Sequence, residues 1–165
     1  MYLGAIIGLM LVLPLLSVAA QAQMLPDAAA LMGLIGKWFT FWGVGVRLFL
    51  AGLNQVFRPD FTAEDIFGIR EPGAQAIVRE VGFGNLAMGT LGILSLFVPD
   101  FLLPASIVGG LYYGLAGLGH LVRKDRNVKE QVAFVSDLAM FVLLAGWSPA
   151  VSLNNRQAAY SAAEP

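Results

Sequence analysis

The sequence predicts an all-α protein, a polytopic membrane bundle of about five spans, four of them forming the core and one preceding it. Three observations carry this. The 165-residue chain is 58% hydrophobic and only 13% charged, with a mean hydropathy of +0.73, whereas soluble domains hold about 25% charged residues. Five apolar stretches follow one another, at residues 2–20, 28–57, 77–98, 101–122 and 132–151. The polar residues inside them recur at helical spacing. Apolar runs of this length cross a bilayer as helices, because lipid offers their backbone groups no hydrogen-bond partner. The domain expected is residues 1–151, with a polar, flexible tail at 152–165.

The first stretch ends on Ala20-Gln21-Ala22, which resembles a signal-peptidase site. No Lys or Arg precedes it, so a retained helix is the expectation. Its Gly4 and Gly8 form a GxxxG pair, a pattern that lets helices approach closely.

The second stretch exceeds what a span needs. Gly36, Thr40, Gly43, Arg47, Ala51, Asn54 and Arg58 succeed one another by three or four residues. At about 100° per residue they share one helix face. Trp38 and Trp42 suit an interfacial belt at its outer end, with Lys37 snorkelling to the headgroups. Pro59 stops the helix. Thr62-Ala63-Glu64-Asp65 then reads as a new helix start, with Thr62 as cap. Ile66, Phe67 and Ile69 supply an apolar face, so a short amphipathic helix near 62–70 is expected on the membrane surface.

In the third stretch Gly82, Asn85, Gly89 and Gly92 share a face, and Glu80 points elsewhere. In the fourth, Ser106, Gly110, Tyr113, Gly117 and His120 align, with Gly110 and Gly114 as a second GxxxG pair. In the fifth, Asp137 lies with Phe134, Phe141, Leu144 and Ser148, and Trp147 suits the outer interface.

Charge sets the topology. Arg58, Arg70 and Arg79 lie in one connection, and Arg123, Lys124, Arg126 and Lys129 in another two spans later, seven of the ten basic residues. The positive-inside rule places Met1 and the connections 58–79 and 123–130 in the cytoplasm and the C-terminus outside. Asn54, Glu80, Asn85, His120 and Asp137 then fall in the cytoplasmic half, with Arg47 deepest. Polar side chains at such depth face protein or a cavity. Asp137, the deepest acid, is the expected partner of Arg47, and Glu80 the alternative.

Composition excludes several chemistries. The chain has no cysteine and one histidine, so thiolate, iron–sulfur and multi-histidine metal sites are ruled out. The net charge is −1, and no basic patch with interleaved aromatics supports nucleic-acid binding. No nucleophile–base constellation is readable, so the reading leans away from an enzyme without deciding it. No spacing of His120, Glu80 and Asp137 points to a metal, and no cofactor is indicated.

The stretches FRPDFTAEDIFGI (57–69) and REVGFGNLAMGTLGIL (79–94), with Gly117-Leu118-Gly119-His120 and the later Asp137, resemble a family of uncharacterised bacterial inner-membrane proteins. More distantly the architecture is similar to DoxX-like four-helix membrane proteins. The resemblance covers residues 38–147. The charged segment RKDRNVKEQ (123–131) departs from it, standing where the family pattern implies a Pro/Gly/Asn-rich connection. The resemblance implies the fold and the placing of Glu80, Asn85, His120 and Asp137, and no activity.

Three roles follow as expectations. One is an accessory or structural component of a membrane assembly, contacting other subunits or a second copy through its small-residue faces. The next is a small-solute or proton-linked carrier using Arg47, Asn54, Glu80, Asn85, Tyr113, His120 and Asp137. The last is a redox or quinone-associated protein. The bilayer is the one partner the composition demands.

Overall fold

The computed structural model describes the backbone of residues 2–23, 28–122 and 126–163, and side chains within these except for Tyr2, Ala29, Pro72 and 148–163. The described backbone is helical apart from short turns, with no strand. Helix α1 covers residues 2–22 and α2 residues 28–57. A short helical turn, α3, spans Phe61–Ile66. Helix α4 is Pro72–Leu94, α5 is Leu102–Val122 and α6 is Val128–Ala163.

Among the described residues, three helices, Leu3–Ala22, Ala30–Phe57 and Pro99–Val122, are long and apolar enough to cross a membrane. Five were expected. Of the other two long helices, α4 holds Arg79 and Glu80, and α6 holds Lys129, Glu130 and Asp137. Helix α6 also continues through the segment read as a polar tail, since its backbone stays helical to Ala163.

Glycine faces set the packing. A Cβ on Gly45 would stand 2.8 Å from the Gly92 carbonyl carbon, so α2 and α4 cross backbone against backbone. Gly82 and Gly89 meet α2 at Gln55 and Phe49, which accounts for the small stripe on α4. The stripe on α5 faces α6: Gly110 meets Leu144, Gly114 meets Phe141 and Gly117 meets Leu138. On α2, Gly36 and Gly43 receive the Trp147 and Met140 side chains of α6.

Two expectations about surfaces are corrected. Trp147 is 2% exposed. The notch at Gly36 holds its ring, so it is a core residue rather than part of an interfacial belt. Trp38 and Trp42 donate instead to α1, at Gln21 Oε1 (3.2 Å) and Ser17 Oγ (3.0 Å). The region expected as a surface helix near 62–70 is shorter, and it packs into the end of the bundle. Thr62 and Ala63 are buried, Thr62 makes no cap, and the chain leaves α3 through Gly68 at φ 69°.

Helix α2 is not regular throughout. A π-type turn occupies Thr40–Val46 and ends where Arg47 begins. Such turns insert one extra residue into the helical ladder and recur at functional sites. Here the Gly43 carbonyl, within the turn, accepts the Tyr113 hydroxyl from α5. The core surrounds this point, with Val44, Leu48, Met140 and Leu144 all buried.

Candidate functional site

Arg47 is the centre from which the site is built. Its Nη2 lies 2.9 Å from Asp137 Oδ1 and 3.3 Å from Ser136 Oγ. The Tyr113 ring covers the guanidinium at 4.9 Å, a cation–π arrangement. The Arg47 side chain is 13% exposed and the Asp137 side chain 8%. Of the two acids considered, Asp137 is therefore the partner. Glu80 is exposed on the far side of α4, because 140° of helical rotation separates it from Asn85, as residues five apart at about 100° each require.

Around this pair lies a cavity of about 350 Å³. Arg47, Asn54, Asn85, Tyr113, His120 and Asp137 all line it. Among the sequence-derived candidates, Glu80 alone does not. Tyr112, Gln55 and Thr62 join the lining. The stripes did not single out Tyr112 and Gln55, because each neighbours a stripe residue rather than occupying one, and Thr62 was marked only as a helix cap. Gln55 Oε1 accepts the Asn85 Nδ2 hydrogen at 2.7 Å, which leaves Asn85 Oδ1 pointing away.

Two polar atoms of this lining have no hydrogen-bond partner among the described residues: Arg47 Nη1 and Asn85 Oδ1. Asn85 is 1% exposed. A buried donor or acceptor without a partner costs about 1–3 kcal/mol. Both residues line the cavity, so the unmet donor and acceptor lie beside it rather than in a dry helix contact.

The cavity is closed at one end by α3 and the turn after it. Phe61, Thr62, Ile66 and Phe67 line it there. Phe67 stacks on His120, with ring centroids 6.0 Å apart and planes at 13°. His120, in the last turn of α5, is turned into the bundle: it is 8% exposed, and its Nδ1 lies 3.1 Å from Glu130 Oε1. Glu130, 1% exposed, is a site residue that the sequence reading left in a charged connection. The signal was present in Asn127-x-x-Glu130. Asn127 Oδ1 accepts the Glu130 amide at 2.9 Å, capping α6 and directing Glu130 back toward α5.

The same connection latches α3. Asn127 Nδ2 donates to the Ile66 carbonyl at 2.8 Å. Lys129 Nζ lies 3.0 Å from Asp65 Oδ2 and 4.9 Å from the centre of the Phe61 ring. Arg126 donates to the His120 and Leu121 carbonyls at the end of α5, where a cation complements the helix dipole. These basic residues are thus tied to protein groups, beyond any part in topology. Arg123 and Lys124 lie outside the described residues.

Among the described residues, no three His, Asp or Glu side chains are grouped to hold a metal ion. The arrangement offers a matched ion pair, a histidine–glutamate contact and two unsatisfied polar atoms, an equipment for binding.

Comparison with known proteins agrees with a family lacking an assigned role. The chain belongs to a family of unknown function (DUF6790), whose model matches residues 4–148. No curated protein and no solved structure matches it.

Proposed function

We propose, for a chain whose family brings no activity with it, that this is an integral membrane protein that binds a small molecule in the cavity between α2, α4, α5 and α6, under the cap formed by α3. The observation that carries this reading is the pair of unpartnered buried atoms, Arg47 Nη1 and Asn85 Oδ1, on one cavity. Binding is the first step of a carrier, and α3, latched by Lys129 and Asn127, stands where a carrier would open. The chain sits in a bacterial inner membrane with the α3 cap and the connection after α5 on the cytoplasmic side, as their basic residues favour.

An accessory role is the second reading, favoured by α1. Gly4 and Gly8 have no atom of the chain within 4 Å of a Cβ position, so that close-approach face is left for another membrane helix.

The experiment is a cycle of Arg47→Ala, Asp137→Ala and the double substitution in detergent. Each single change leaves a buried charge unpaired and is expected to cost about 3–5 kcal/mol, the double much less than the sum. Thermal stability and the small molecules released on denaturation are both measured. The binding reading expects a released molecule from the wild type that is missing from the double variant although its stability is largely recovered. Equal release from both would contradict it.

A further inference from the structure

We infer that α3 is a hinged gate over the water-facing end of the cavity, held shut by Asn127 and Lys129; this rests on the binding reading above. Phe61, Thr62, Ile66 and Phe67 belong to the cavity lining, so the α3 segment is one wall of the site. The lining residues that are exposed, Ala5 of α1 and Leu50 of α2, are apolar. In a bilayer they face lipid, which an ion does not cross. A charged or strongly polar molecule therefore reaches the polar lining past α3.

The segment is built to move as a unit. Phe67 N donates to the Thr62 carbonyl at 3.1 Å, Gly68 N to the Glu64 carbonyl at 3.1 Å and Ile69 N to the Ala63 carbonyl at 2.8 Å, so residues 61–69 hold themselves together. On either side the helical backbone breaks. Arg58 has φ −138° and ψ 61°, and Glu71 has φ −65° and ψ 133°. Both residues are exposed. Hinges are such positions, element ends that absorb a change of φ and ψ while the piece between them stays intact.

What holds the unit shut comes from the start of α6. Asn127 Nδ2 donates to the Ile66 carbonyl at 2.8 Å, and Lys129 Nζ pairs with Asp65 Oδ2 at 3.0 Å. The Lys129 and Asp65 side chains are 39% and 53% exposed. An ion pair so open to water stabilises little and is screened by salt. The latch therefore favours the shut state without fixing it, as suits a segment that opens locally while the bundle stays folded. Phe67, stacked on His120, carries the closure to the site itself.

The test uses the full chain, which has no cysteine of its own, in phosphatidylcholine nanodiscs. Ala133→Cys puts a thiol on the cavity wall, and its modification by a permanently charged methanethiosulfonate reagent is timed. Ser95→Cys, at a site 4% exposed and outside the cavity, reports general loosening. Asn127→Asp removes the donor to Ile66 and keeps the oxygen that caps α6. Combined with Lys129→Ala, it is expected to speed modification at position 133 about tenfold and to leave position 95 unchanged. Lys129→Asp alone is expected to be fast at position 133, and the swapped pair Asp65→Lys with Lys129→Asp to return toward the wild-type rate. Equal rates at 133 with and without the latch make α3 a fixed wall and overturn the inference. An equal rise at 95 makes the latch a general support and overturns it too, as does a swapped pair no slower than Lys129→Asp alone. No arm uses a ligand, so the gate can fail while binding stands, and binding can fail while α3 still opens.

Discussion

Arg47 explains why a guanidinium is tolerated at this depth. One nitrogen is committed to Asp137 and Ser136, the Tyr113 ring covers one face, and the other terminal nitrogen is buried without a hydrogen-bond partner among the described residues. The pairing with Asp137 was legible in the sequence, because depth along two helices ranks the acids and periodicity turns Glu80 away. The partner of His120 was not. An acid in the first turn of a helix after a charged connection reads equally as solvent-facing, and only the Asn127 cap directs Glu130 inward. The pairing has a measurable consequence. Glu130→Ala leaves His120 buried without its carboxylate and is expected to destabilise the protein by about 1–3 kcal/mol. Glu130→Gln, which keeps a hydrogen-bonding side chain, is expected to retain most of that stability. Melting in detergent decides it: an alanine variant as stable as the wild type would show that the contact contributes nothing. Trp147 was misjudged for a related reason. A tryptophan near a span end satisfies an interface as well as a core, and the notch at Gly36 that selects the core appears only once α2 and α6 are side by side.

At the scale of elements, the small-residue stripes were the most legible feature, since the 3.6-residue period does not depend on tertiary context. Each stripe faces one neighbour. On α4 it faces α2, and on α5 it faces α6. The tightest crossing is Gly45 against Gly92, where a side chain has only backbone to displace. Gly92→Leu is therefore expected to prevent close packing of α2 and α4, with loss of folded yield, because overpacking costs 1–3 kcal/mol or so even where side chains can adjust. Gly84→Leu, on the open side of α4 where nothing lies within 4 Å, is the control and is expected to behave as wild type. Similar yields for the two would contradict the crossing. The π-type turn before Arg47 was not legible. No local residue demands it, and the contact it makes, the Gly43 carbonyl accepting the Tyr113 hydroxyl, is tertiary. The α3 cap was half legible. Its apolar residues marked a face, but a face of three side chains fits a membrane surface and a bundle end equally well. The latch from Asn127 and Lys129, more than 60 residues away in sequence, decides between them.

For the whole molecule, the all-helical architecture followed from composition and stretch length alone. Helices α4 and α6 carry charge that lowers their hydropathy, and what shelters that charge, notably at Asp137, is a tertiary contact. The proposed orientation has its own check. The chain contains no cysteine, so a single one can be placed at will. Asp60→Cys, exposed beside α3, and Asp100→Cys, exposed in the turn before α5, lie at opposite ends of the bundle. In intact cells an impermeant maleimide is expected to label the second and spare the first, and the reverse pattern would invert the topology. The central claim is that the cavity around Arg47 and Asn85 is occupied in the working protein. Native mass spectrometry of the purified chain, beside an Ala116→Phe variant that fills the cavity from α5, tests it most directly. The account expects the wild type to carry a discrete non-covalent adduct that the variant lacks while both remain folded. A wild-type protein that is bare, or an adduct that the filled variant keeps, would contradict it.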